Sequence, residues 1–134
     1  MAGFSRCWRR RDQTTRSYLG LAHCIGIGFQ RRAHPCWQLV TNDGTGAPTL
    51  TDLGASFAIA SGRVLTLYIA APPNGSSVWV RVVEEVSGAV FEQEITADLP
   101  AATQFLSPRL FLNTGATAAA VAYDCAGVYL ETDY

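Results

Sequence analysis

The chain contains no lysine, and only 16% of its 134 residues are charged. It also lacks any apolar run near the roughly 20 residues that a membrane-spanning helix needs. No apolar run of about 7–15 residues follows the first arginines, so a secretory signal is not expected. Cysteines 7, 24, 36 and 125 show neither Cys-x2-Cys spacing nor a recognisable disulfide framework. Low charge with many β-branched and aromatic residues excludes a disordered chain. What remains is a chain of one-domain length. Twelve glycines, six prolines and abundant Thr, Ser and Val point to short strands joined by turns.

All ten basic residues are arginine, and seven of them precede residue 41. Residues 1–40 therefore carry a net +6, and residues 41–134 a net −7. Such asymmetry reads as a basic arm on an acidic body. Arg9, Arg10 and Arg11 are candidate contacts for an acidic partner. Trp8 is the single aromatic interleaved among the arm's arginines, which argues against nucleic acid as that partner. Residues 1–19 show neither period 2 nor period 3.6, so the arm is expected outside the folded core, with the domain spanning 20–134. Deleting the arm should leave the thermal transition unchanged.

From residue 21 to 29, Leu21, His23, Ile25, Ile27 and Phe29 alternate with smaller residues, which predicts a strand. Gly26-Ile27-Gly28 lacks the third glycine and following helix of a phosphate loop, and reads as close sheet packing. Residues 30–35 break the alternation and form a loop. His23-Cys24 and His34-Pro35-Cys36 offer potential zinc ligands, but the spacing matches no zinc site, and ordinary unpaired thiols are expected.

Asp43-Gly44 between two apolar runs predicts a hairpin with a two-residue type I′ turn. That register sets Trp37 opposite Leu50 and Leu39 opposite Pro48. Too few alternating acids follow for a calcium loop. A strand over 64–71 turns Leu65, Leu67 and Ile69 to one face and ends at Pro72-Pro73-Asn74-Gly75. Asn74-Gly75-Ser76 is formally a glycosylation sequon, unused without a secretory signal.

A second hairpin about Ser87-Gly88 pairs Val86 with Ala89, Glu84 with Phe91, Val82 with Gln93 and Val80 with Ile95 in a two-residue turn. Arg81 then faces Glu94 across the strands. Glu84, Glu85, Glu92 and Glu94 read as solvent-face carboxylates, with no placed acid pair of the kind a glycosidase needs. Trp79 and Arg81 on the polar face are candidate contacts for a glycan or a partner protein. Two further strands are expected, over 104–113 and 117–133. The second is apolar on both faces, with Val121, Tyr123, Cys125 and Tyr129 on one and Ala120, Ala122, Val128 and Leu130 on the other. A strand apolar on both sides is covered on both, so Val121, Tyr123 and Tyr129 are candidate subunit contacts.

Several stretches resemble a family of tailed-bacteriophage virion proteins. They are Asn42-Asp-Gly-Thr-Gly-Ala47, Leu53-Gly-Ala-Ser-Phe57, Ala71-Pro-Pro-Asn-Gly-Ser-Ser-Val78 and Thr96-Ala-Asp-Leu-Pro-Ala-Ala-Thr103, then Phe105-Leu-Ser-Pro-Arg109, Asn113-Thr-Gly-Ala-Thr-Ala-Ala-Ala-Val121 and the closing Val128-Tyr-Leu-Glu-Thr-Asp-Tyr134. The resemblance spans about 20–134, while residues 1–19 and 30–36 depart from the family pattern. It implies an all-β, antiparallel sandwich of jelly-roll or lectin-like kind, displayed on the virion in a tail fibre, spike or capsid decoration. It implies no enzymatic activity and no cofactor, with other virion proteins as partners and a homotrimer as the assembly. The alternative is a carbohydrate-binding module that contacts a host-surface glycan through exposed aromatics such as Trp79. No membrane association is expected.

Overall fold

The computed structural model describes residues 21–30, 33–112, 114, 120, 122 and 124–132. Six strands follow in chain order: β1 (Cys24–Gly28), β2 (Gln38–Asn42), β3 (Thr49–Asp52), β4 (Leu65–Ala70), β5 (Val78–Glu84) and β6 (Ala89–Ile95). They form two antiparallel three-stranded sheets, β1-β2-β3 and β4-β5-β6, each a consecutive meander. A short 3-10 turn, Ala55–Phe57, separates them and buries Phe57. The protein is all-β over the described residues, as its composition predicts.

One apolar cluster draws on both sheets. Leu39, Leu53 and Phe57 from the first unit meet Val78, Val80, Val82 and Ile95 from the second, with Ile25, Ile27, Leu65, Leu67 and Phe91 packed around them. The alternation of β5 explains its share: Val78, Val80, Val82 and Glu84 are buried, while Trp79 and Arg81 point outward. Strand side chains alternate faces, so a single set of valines supplies the core.

Polar ties complement the apolar ones. The Asp98 carboxylate accepts hydrogen bonds from the Asp43 and Thr49 amides at 2.9 Å each, joining the chain after β6 to the β2–β3 connection. Burial pushes the Asp98 carboxyl up, but the bonds from Asp43 and Thr49 outweigh it and hold the group below the usual range. Arg63, between the sheets in sequence, pairs with the fully buried Glu84 at 3.0 Å and also donates to the Ser56 carbonyl at 3.4 Å.

Both hairpins exist, in registers other than those expected. In the first, Thr41 pairs with Thr49, Val40 with Leu50 and Leu39 with Thr51, so the connection runs through residues 42–48. Side-chain capping widens it. Asn42 Oδ1 accepts the Gly44 amide and Asp43 Oδ1 accepts the Thr45 amide, both at 2.7 Å, while Asp98 fixes the two ends. The offset from the expected pairing is odd, so β3 shows its other face: Leu53, rather than Leu50, joins Leu39 in the core. Gly44 lies at φ 92, and a side chain there would strike the His23 ring. His23 itself has φ 53, which breaks the pleat, and β1 begins at Cys24, three residues after the expected start at Leu21. A side chain at Gly26 would meet nothing within 4 Å, so close packing does not explain it.

In the second hairpin Glu84 pairs with Ala89 and Val82 with Phe91, a slip of two residues from expectation. An even slip preserves the faces. The connection over 85–88 closes with the Gly88 amide on the Glu84 carbonyl at 2.8 Å, with Gly88 at φ 73. Glu84, expected at solvent, is instead buried. It accepts the Ser87 amide at 2.7 Å and the Val86 amide at 3.3 Å beside the Arg63 contact. Hydrogen bonding by Ser87, then by the Val86 amide, and the Arg63 charge together overcome burial and lower its pKa to about 2.

The two strands expected over 104–113 and 117–133 do not form among the described residues, where 104–112, 120, 122 and 124–132 carry no strand. Strand character needs a hydrogen-bonded neighbour, and the bonds found there are local. Gln104 donates to Phe105, Tyr129 to Glu131 and Cys125 to Gly127. The arm over 1–19 lies outside the described residues.

Candidate functional site

The sequence placed Trp79 and Arg81 on one face of a hairpin, and the structure puts both on the outer face of the second sheet. Registers define the layout. Tyr68 of β4 stands beside Arg81 of β5, and Arg81 beside Glu92 of β6; one step along, Ala70 stands beside Trp79, and Trp79 beside Glu94. A shallow depression is lined by Tyr68, Ala70, Trp79, Val80, Arg81 and Glu92. Trp79 and Tyr68 are each just over half exposed. They are diagonal neighbours across two strands, a separation that long side chains bridge.

Arg81 pairs with Glu92 at 2.8 Å, not with the expected Glu94, because of the two-residue slip. Both members of the pair are about half exposed, so its stabilising effect is small. Its consequence is positional: the guanidinium is drawn toward Glu92 on β6, on the side of β5 away from Tyr68. The arrangement can offer aromatic faces, several N–H donors and a carboxylate acceptor to one flat ligand.

Tyr68 is the member that sequence reasoning passed over. The signal was present, since turning Leu65 and Leu67 inward turns Tyr68 outward. Tyr129 lies far out, 86% exposed, with its hydroxyl donating to Glu131 at 3.3 Å. Val121, Tyr123, Arg9, Arg10 and Arg11 lie outside the described residues.

Among the described residues, other chemistry-bearing groups do not converge. Cys24 and Cys125 are free, and Cys36 is a buried free thiol beside Ala58. Burial, and secondarily the Asp98 charge, push the Cys24 thiol up. Among the described residues no three His, Cys, Asp or Glu side chains gather as a metal site would require. Likewise, no described helix is long and apolar enough to cross a membrane.

Fold and face together define a β protein with a mixed aromatic and ionic platform on one sheet. No family model, curated protein or solved structure matches the chain.

Proposed function

We propose that the protein is a non-enzymatic structural module of a bacteriophage virion, part of a tail fibre, spike or capsid decoration. In this reading the two sheets form a sandwich of jelly-roll or lectin-like kind, and the chain works as a homotrimer among other virion proteins. The observation that carries the assembly is the exposed apolar surface of the C-terminal third. Phe105 is 96% exposed, Leu130 69%, and Leu106, Leu110, Val128 and Tyr129 are also exposed. Exposed apolar side chains gathered on one stretch of sequence among the described residues support an association surface. The phage setting and the number three come from the sequence resemblance.

Light scattering on the purified chain tests the assembly. A trimer mass at micromolar concentration supports the reading, a dimer refutes the count, and a persistent monomer refutes the association. Mass spectrometry of purified particles tests the setting: the chain is expected among the virion proteins, and its absence there refutes the virion assignment.

A further inference from the structure

The outer face of β4-β5-β6 poses a question that the structural role does not answer. Its aromatics are exposed, yet its centre is ionic. The core of a protein–protein interface is depleted of charged residues. Here the Arg81–Glu92 pair lines the depression, with Glu94 beside Trp79. A second protein covering this face would have to desolvate all three charges. A ligand that carries hydroxyl groups faces no such cost, because it replaces water at the guanidinium and carboxylate with hydrogen bonds of its own.

We propose that this face binds a neutral hexopyranose chain, with one sugar ring stacked on Trp79, a neighbouring ring on Tyr68, and Arg81 and Glu92 holding hydroxyls at their flank. An aromatic ring is negative on its face, which suits the slightly positive C–H groups on one side of a pyranose. Ala70, opposite Trp79 in the register, adds little bulk on that side of the indole. The ion pair serves the same end. Locked to each other at 2.8 Å, the two side chains are already positioned before a ligand arrives, so less freedom is lost on binding. Charge selects the sugar class. Arg81 is offset by Glu92, and Glu94 leaves the platform net negative, so uronic and sialic acids are disfavoured. This inference is independent of the trimer, and light scattering does not bear on it.

Titration calorimetry on the full chain tests it, with cellohexaose, maltohexaose and mannohexaose as neutral probes and trigalacturonate as the acidic comparator. At least one neutral probe is expected to bind, and more tightly than trigalacturonate. Trp79→Ala should weaken that binding about tenfold, equivalent to about 1.4 kcal/mol. Tyr68→Ala and Arg81→Gln should each weaken it several-fold, and they provide independent readings if Trp79→Ala disturbs folding. Val86→Ala, at the exposed hairpin end, should leave it unchanged. No heat with any neutral probe, a preference for trigalacturonate, or undiminished binding in the folded variants would overturn the proposal.

Discussion

Residues 21–98 and residues 101–132 are both rich in β-forming and apolar side chains, yet they end differently. In the first region, strands find neighbours and polar groups reach far along the chain. Asn42 bonds Leu21, and Asp98 bonds residues 49 and 55 positions earlier. In the second, the described hydrogen bonds stay within a few residues, and phenylalanines, leucines and a tyrosine face solvent. β propensity is a capacity to fit a pleated, half-covered surface, and it becomes a strand only where that surface exists. The first region supplies its own surface through hairpins. Among its described residues, the second leaves that capacity unused.

Mutations at matched apolar positions give the sharpest contrast. Leu39→Ala empties a fully buried site in the common core and should cost about 2–5 kcal/mol, read by urea denaturation. A loss below about 1 kcal/mol would mean that the core is far looser than its burial implies. Gly44→Ala comes next. It forces a side chain into φ 92 and against the His23 ring, at a cost of about 1–3 kcal/mol in the same assay.

Acid should weaken the first region through Glu84. Its folded pKa of about 2 lies below the ordinary 4.5, so the stabilisation is full above the ordinary value and is lost as pH falls from about 4.5 toward 2. Asp98 and Asp52, also lowered, act in the same direction. Thermal melts across that window should show a falling midpoint, with a shallower fall in Glu84→Gln. Equal slopes in the two proteins would remove Glu84 from the explanation.

The smallest effect is expected in the second region. Leu130→Ala should change the stability of the isolated subunit by no more than about 0.5 kcal/mol, since its side chain is exposed. Deleting residues 101–134 should likewise leave the melting midpoint of the two sheets near its full-length value at concentrations where both proteins are monomeric, while abolishing self-association. A collapse of the midpoint would erase the distinction between the regions.

Much of the first region was legible in the sequence. Period-two alternation marked β1, β4, β5 and β6, the Asp-Gly turn marked β2 and β3, and the alternation put Trp79 and Arg81 outside and Val80 and Val82 inside. Register was not legible, because it depends on side chains at the ends of the strands. Asn42 and Asp43 cap a wide connection where Asp-Gly suggested a tight one, and Glu84 turns inward to bind the amides of its own turn. The consequences differ by parity. An even slip in the second hairpin changed the partner of Arg81 but not its face, whereas an odd one in the first exchanged Leu50 for Leu53 in the core. The strands expected after residue 103 are absent among the described residues for another reason: apolar faces record which sides need cover and are silent on whether the cover lies in the same molecule.

The Asp98 bonds also carry a kinetic consequence. Each sheet is a meander of consecutive strands, so its pairings close over short stretches of chain, and such local closures are fast. Docking one sheet on the other brings together parts of the chain about 50 residues apart, a slower, non-local step. The amides of Asp43 and Thr49 become shielded only when Asp98 arrives. Their exchange with deuterated solvent therefore times that docking and separates it from formation of either sheet.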